Sequence, residues 1–387
     1  MSEWTKVRIG DLCKTNTKSY SPKEGWTFVN YLDTGNITKN VVDKVQYIDL
    51  SKEKLPSRAK RKVQHNSVLF STVRPNQLHY GIIKSQPENF LVSTGFAVMD
   101  ADAERLDPDY FYYLLSSNEI VEGLHAIAEQ STSAYPSIKP SDIENLEVDV
   151  PDIKTQRKIS AVLVSIDEKI HSNTEINKNL QAQAQTIYQH MIIDNADDSW
   201  TPGVLSDIAV ITMGQSPKGE SYNENGIGTV FFQGRAEFGF RFPTRRLYTT
   251  DPKRMAKAND ALMSVRAPVG DMNVAYEDCC IGRGLGAIRS KDGHQSFVLY
   301  TMLALREQLN VFNGEGTVFG SINRDALNSM PIDIPPQEIM EQFEDIVAPM
   351  DAEIRNNYDE ICRLQALRDS LLPRLMSGEL DISELDI

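Results

Sequence analysis

From Ser137 to Met191, and again from Ser321 to Leu375, the chain runs in register with itself at a constant offset of 184 residues, without a gap. In that register SIKPSDIENLEVDVPDI faces SINRDALNSMPIDIPPQ, Pro151 matches Pro335, Asp167 matches Asp351 and Asn173 matches Asn357. A duplication this long restricts the fold to two similar units. Upstream the match is looser: Trp4-Thr5 pairs with Trp200-Thr201, Ser67-Val-Leu-Phe-Ser-Thr-Val-Arg74 with Asp260-Ala-Leu-Met-Ser-Val-Arg266, and Thr94-Gly95-Phe96 with Arg283-Gly284-Leu285. Each unit is therefore a variable globular part followed by a better matched tail. A chain of 387 residues exceeds what one hydrophobic core usually supports, which agrees with this division.

Each globular part reads as mixed α/β. In the first, β-branched and aromatic residues between turn signals predict strands over 27–32, 45–50, 68–73 and 90–99. Asp107 can cap a helix, with Pro108 at its first position, leading into 110–128; residues 296–312 fill the same place in the second part.

After Pro151 the residues Ile159, Leu163, Ile166, Ile170, Asn173, Leu180, Ala184, Ile187 and Met191 recur in steps of three and four, with few breakers. The second tail repeats this with Phe343, Val347, Met350, Ile354, Asn357, Ile361, Leu364, Leu371 and Leu375, interrupted by Pro349, which predicts a kink or the end of a first short helix. At about 1.5 Å per residue each rod reaches on the order of 60 Å. A seam this narrow does not hide in a globular core, so the rods should pair as a coiled coil, with Asn173 and Asn357 on the seam fixing register. Rods that only dimerise the protein are equally compatible with the spacing. The expected fold is α+β: two mixed α/β domains in a pseudo-two-fold arrangement, separated by two long antiparallel helices. The expected boundaries are 1–150 and 195–334 for the domains, 151–194 and 335–380 for the helices, and 381–387 for a tail.

The formal net charge of −14 opposes nucleic-acid binding, so local charge decides. Lys52, Lys54, Arg58, Lys60, Arg61 and Lys62 crowd together in the first unit; Arg235, Arg241, Arg245, Arg246, Lys253, Arg254, Lys257 and Arg266 fill a comparable stretch of the second, with Phe238, Phe240, Phe242 and Tyr248 interleaved. One such cluster is ordinarily a solvated face; recurrence at equivalent positions points to phosphate. The candidates for phosphate are Arg58, Lys60, Arg61, Lys62, Arg245, Arg246 and Arg254, and those for base edges are Arg74, Gln77, Arg241 and Arg266, since Arg and Gln bond base edges bidentately. Arg74 and Arg266 are also compatible with structural ion pairs. The acidic excess collects at 100–109, 142–152 and 338–386, surfaces that suit protein partners or solvent.

No catalytic motif is found. There is no (N/D)PP(Y/F) sequence for amino-methyl transfer, Gly214-Gln-Ser-Pro-Lys-Gly-Glu-Ser221 lacks the Gly-Lys-Ser/Thr of a phosphate loop, and Gly282-Arg-Gly-Leu-Gly286 follows Cys279-Cys280 and suits a turn or bulge. Cys13, Cys279, Cys280 and Cys362 show no metal spacing, so reduced structural thiols and no metal are expected. Apolar runs fall short of a membrane span, and Met1-Ser-Glu-Trp lacks a signal-peptide pattern, which points to the cytoplasm.

Together the duplicated Trp-Thr starts, the Ser67 to Arg74 type segment, the helix openings Pro151-Asp-Ile-Lys-Thr-Gln-Arg-Lys-Ile159 and Pro335-Pro-Gln-Glu-Ile-Met-Glu-Gln342, and Leu371-Leu-Pro-Arg-Leu-Met-Ser-Gly-Glu-Leu380 resemble the specificity subunits of Type I restriction-modification systems over essentially the whole chain. The first tail departs at Thr155-Gln156, where Glu-Gln is commoner, and lacks a copy of Leu-Pro-Arg-Leu. The resemblance implies a non-catalytic subunit whose two domains each read half of a split double-stranded DNA target across a gap set by the helices. It implies docking of two methyltransferase subunits that supply S-adenosylmethionine and methylate one adenine per half-site. A restriction subunit that uses ATP and magnesium would join through them. Other readings are the specificity subunit of a related system with fused cutting and methylation, and a coiled-coil protein scaffold that binds no DNA.

Overall fold

The computed structural model describes residues 4–131, 135–197, 200–314 and 320–382. The first three residues, and 383–387 of the expected tail, lie outside them. The chain forms two compact units, one of residues 1–172 with 360–387 and one of 173–359, so each contains part of both long helices.

The units share one plan. The globular part of each begins and ends on a two-stranded antiparallel ribbon, Thr5–Arg8 with Glu147–Val150 in unit 1 and Thr201–Val204 with Pro331–Ile334 in unit 2. Each has an antiparallel central sheet: Cys13–Thr15, Phe96–Ala101, Val68–Ser71 and Tyr80–Ile82 in unit 1, and Ala209–Met213, Leu285–Ser290, Ala261–Ser264 and Met272–Val274 in unit 2. A second sheet holds a parallel pair flanked by antiparallel strands. In unit 1 its order is Gln46–Asp49, Phe28–Leu32, Phe90–Ser93, Ala59–Arg61; in unit 2 it is Tyr222–Asn223, Tyr248–Thr249, Thr229–Phe232, Cys279–Ile281, Met255–Ala256.

Strand alternation explains the layering. Phe70, Ala97 and Met99 point to one face of the central sheet, where they pack on Tyr110, Phe111 and Leu114. Leu69, Phe96 and Val98 point to the other face and meet Leu32 and Val92 of the second sheet. Unit 2 repeats the division, with Met263 and Ile288 on the helical side and Leu262, Leu285 and Ala287 on the sheet side. A sheet buried on both faces reads as a continuous apolar run, which is why 68–73 was legible.

Expectation and structure part at several breaks. The segment 90–99 is two strands, separated at Thr94-Gly95 where the chain passes from one sheet to the other; a Cβ on Gly95 would lie 2.8 Å from Thr34 Cγ2. The helix expected over 110–128 is two, Pro108–Ser116 and Asn118–Glu129, divided at Ser117, whose extended backbone (ψ 144°) caps the second. Residues 296–312 likewise divide into Gln295–Ala304, Arg306–Asn310 and a short turn.

The tails are helical, Ile153–Tyr188, with a final π-helical turn Gln189–Asp194, and Gln337–Met376. The second passes through Pro349 without ending. Pro349 lies on the exposed face, so the carbonyl freed by its missing N–H turns to water. Within each unit the two helices pair antiparallel. In unit 1 Asp167 meets Arg368 and Ile159 and Leu163 share a core with Leu371 and Leu375. In unit 2 Asn177 meets Asn357 and Ala184 and Tyr188 share a core with Phe343 and Val347. Along the two helices Ile159, Ile166, Asn173, Ile354 and Asn357 are buried, and Ile170, Leu180, Met350, Leu364 and Leu371 are half-buried. Near the end of the first, Tyr188 is buried and Ile187 only half-buried.

Candidate nucleic-acid interface

In unit 1 the basic cluster surrounds the edge strand Ala59–Arg61. Alternation sends Ala59 inward, so Arg58 and Lys60 project to solvent, and the Arg58 carbonyl accepts the Thr94 amide at 2.8 Å. Arg61 is half-buried, and burial lowers its pKa. Lys62 pairs with Glu24 and lies 5.0 Å from the centre of the Trp26 ring, which commits it locally. Arg74 has a left-handed backbone (φ 48°), its amide donates to the Pro136 carbonyl, and its guanidinium lies 5.0 Å from the Tyr135 ring. Gln77 ends the short turn Pro75–Gln77 and is exposed.

In unit 2 Arg254 stands at the same sheet edge as Arg58 but two places along it, opposite Ile281 as Arg61 lies opposite Val92. It immediately precedes the edge strand, is exposed, and its carbonyl accepts the Ile281 amide at 2.9 Å. Arg245 donates to Glu277 at 2.5 Å over the Tyr276 ring, and Arg246 donates to Glu237 at 2.6 Å and Glu224 at 3.0 Å. The pairs of Arg245 with Glu277 and of Arg246 with Glu224 are exposed and worth little in water, so a phosphate can displace those carboxylates, whereas the Glu237 carboxylate is only 7% exposed and holds Arg246 more firmly.

Two assignments change. Arg241 is only 6% exposed and donates to Asp351 Oδ1 at 2.8 Å and to the Tyr300 hydroxyl at 2.9 Å, so it is a structural ion pair and leaves the base-reading set. Arg74 and Arg266 are not equivalent. Arg266 bridges Ser321 as Val73 bridges Ser137, and the Arg74 amide bonds Pro136 as the Ala267 amide bonds Gly320. The register therefore matches Arg266 with Val73, one residue away from Arg74. Arg266 remains exposed.

Gly282-Arg-Gly284, within the Gly282 to Gly286 segment expected to form a turn or bulge, is crowded against neighbouring backbone. A Cβ on Gly284 would lie 2.8 Å from the Gln233 carbonyl oxygen, and one on Gly214 2.1 Å from the Gly282 carbonyl oxygen. The turn carries Arg283 to the rim of a cavity of about 630 Å³ lined also by Gln215, Ser216, Tyr222, Gln233 and Arg246. Sequence reasoning passed over Gln215, Gln233 and Arg283 because each stands alone among neutral neighbours; the paired glycines were the available signal.

Asp33, which follows the strand Phe28–Leu32 in unit 1, is pulled up by burial, but the Thr34 amide, the Ser93 and Tyr31 hydroxyls and Arg58 hold its carboxyl below the ordinary value. The Cys13 and Cys279 thiols are pushed up by burial to about 11 and about 12, so both stay protonated at neutral pH. Among the described residues no group of three or more His, Cys, Asp or Glu side chains could hold a metal, and no helix is long and apolar enough to cross a membrane.

The family model "Type I restriction modification DNA specificity domain" matches residues 1–182 and 197–362, one copy for each repeat. The chain is 26% identical to the MjaX type I restriction enzyme specificity subunit of Methanocaldococcus jannaschii, covering 98% of this chain and 94% of that one. It is 23% identical to the HindI type I restriction enzyme specificity subunit of Haemophilus influenzae, covering 98% of this chain and all of that one. Its fold matches the crystal structure of a Type-I restriction-modification S subunit from M. genitalium with a TM-score of 0.62 at 16% identity, over 97% and 96% of the two chains.

Proposed function

The chain belongs to the Type I restriction-modification DNA specificity family, and from that premise we propose that it selects an asymmetric, bipartite double-stranded DNA target, one half-site per unit. The observation that carries the reading is the pairing of one plan with two chemistries. Arg58 and Arg254 stand at the same edge of the same sheet, suited to the phosphate backbone common to any sequence. The strand ends beside them carry different side chains, suited to different bases.

The long helices set the unread gap. Half-sites of roughly three to five base pairs, separated by about half a helical turn, fit two modules of this size. Two methyltransferase subunits dock on the chain, bring S-adenosylmethionine, and methylate one adenine in each half-site after taking it out of the stack. A restriction subunit joins through them and brings the ATP and magnesium chemistry. This chain's own part is to bind, orient and discriminate.

The test is a genome-wide map of N6-methyladenine in cells with and without this gene. Disappearance of one split, asymmetric motif supports the proposal and gives the target. A map unchanged by deletion while the methyltransferase is expressed and active contradicts it, and moves the DNA-free scaffold forward.

A further inference from the structure

Among the described residues each unit has one pair of parallel strands, and the two units differ in chemistry where those strands end. In unit 1 Leu32 lies opposite Val92; in unit 2 Phe232 lies opposite Ile281. The Thr72 amide donates to the Gly95 carbonyl as the Val265 amide donates to the Gly284 carbonyl, which confirms the register. Asp33 and Thr94 in unit 1 are thus equivalent to Gln233 and Arg283 in unit 2. The carboxyl ends of parallel strands are a general place for ligands, because the chain turns there and side chains converge.

In unit 2 these ends open on the 630 Å³ cavity. Ser216 Oγ accepts from Gln233 Nε2 at 2.9 Å and from the Arg283 amide at 3.2 Å, which ties both residues to one wall. The Gln233 carboxamide keeps one N–H and its oxygen for a ligand, and the Arg283 guanidinium enters no ion pair among the described residues. Arg246 differs, being held by Glu237 and Glu224. Tyr222 closes the cavity beside Phe231, with ring centres 4.9 Å apart.

We propose that Gln233 and Arg283 are specificity-determining residues that read base edges in one half-site, with Gln215 beside them. This rests on the DNA-binding function proposed above. A carboxamide matches the donor and acceptor pattern of adenine, and a guanidinium fork matches the two acceptors of guanine. At the equivalent places of unit 1 stand Asp33, an acceptor already engaged by the Tyr31 hydroxyl at 3.0 Å and the Thr34 amide at 2.9 Å, and the small hydroxyl of Thr94. Two equivalent positions therefore carry different hydrogen-bonding character in the two units, and the half-sites differ for that reason.

The experiment compares methylation motifs produced by the wild-type chain with its methyltransferase partners and by Gln233→Ala, Arg283→Ala and Arg283→Lys chains. The expected result is a roughly ten-fold or larger loss of base preference at one or two positions of one half-site, the other half-site unchanged. Arg283→Lys keeps charge and length but loses the fork, so it decides the matter alone if the alanine chains do not fold. A motif intact in every folded variant, or methylation lowered at all sites without a change of motif, overturns the proposal and makes these residues phosphate or structural contacts. A wild-type chain that yields no split motif overturns the DNA-binding function itself, before any variant is measured.

Discussion

Asp167 and Asp351 occupy the same place in the repeat, and each ties a tyrosine of its globular part to a long helix, but the arginine that completes the tie comes from a different direction. In unit 1 the Tyr113 hydroxyl donates to Asp167 Oδ2 at 2.7 Å, and Arg368, on the second long helix, donates to Oδ1 at 2.8 Å. In unit 2 the Tyr300 hydroxyl donates to Asp351 Oδ1 at 3.1 Å, and Arg241, from a loop of the globular part, donates to the same oxygen at 2.8 Å. The duplication has kept the acceptor and let the donor vary. One tie consequently locks helix to helix and the other locks domain to helix, because a partly buried carboxylate gains from a cation whichever element supplies it.

The largest effect should come from Arg241→Ala. With the arginine 6% and the aspartate 20% exposed, its loss leaves Asp351 with only a tyrosine, and a cost of about 3 kcal/mol to unit 2 is expected in denaturant titration. Arg368→Ala should cost less, about 1–2 kcal/mol, because that pair is 24% and 31% exposed and water replaces part of the lost bond. Equal losses in the two variants would erase the distinction between the ties.

A smaller effect is expected on the seam. Asn357 Nδ2 donates to Asn177 Oδ1 at 3.0 Å, and Asn177 Nδ2 to the Ile354 carbonyl at 3.1 Å. Replacing both asparagines by leucine should raise stability by about 1 kcal/mol while loosening register, read as a broadened range of tolerated spacers in the methylation motif. A stabilised chain with an unchanged spacer would remove the asparagines from any role in register.

The smallest effect on stability belongs to the surface cations, within about 0.5 kcal/mol. Their signature is salt dependence. Arg58→Ala and Arg254→Ala should each lower the slope of log affinity against log salt by about one, whereas Arg245→Ala and Arg246→Ala, whose charges already face Glu277 and Glu237, should lower it less. Four equal slopes would show that the intramolecular ion pairs do not matter on DNA.

What was legible in the sequence followed from periodicity. The steps of three and four through Ile159, Leu163 and Ile166 identified the helices, and the constant offset identified the two units. Pro349 does not end the second helix, because it falls on the exposed face, a fact fixed only once Phe343, Val347 and Ile354 turn inward. Asn177 was passed over because an isolated polar residue breaks an apolar pattern whether buried or exposed. Arg241 was misread because its neighbours Phe240 and Phe242 suggested an aromatic, basic surface, while the carboxylate that buries it lies 110 residues away. Base-reading positions such as Gln233 and Arg283 were hidden for the same reason. They become neighbours only when two strands distant in sequence lie parallel.

The measurement that tests the account most directly is a methylation map from a chimera in which residues 201–334 are replaced by a second copy of 5–150, joined through the ribbons Thr5–Arg8 with Glu147–Val150 and Thr201–Val204 with Pro331–Ile334. If each unit reads one half-site, the methylated motif becomes symmetric, with the first half-site repeated in inverted orientation across the gap. A methylated motif that stays asymmetric, or keeps the half-site of the removed domain, would contradict the assignment of one half-site to each unit.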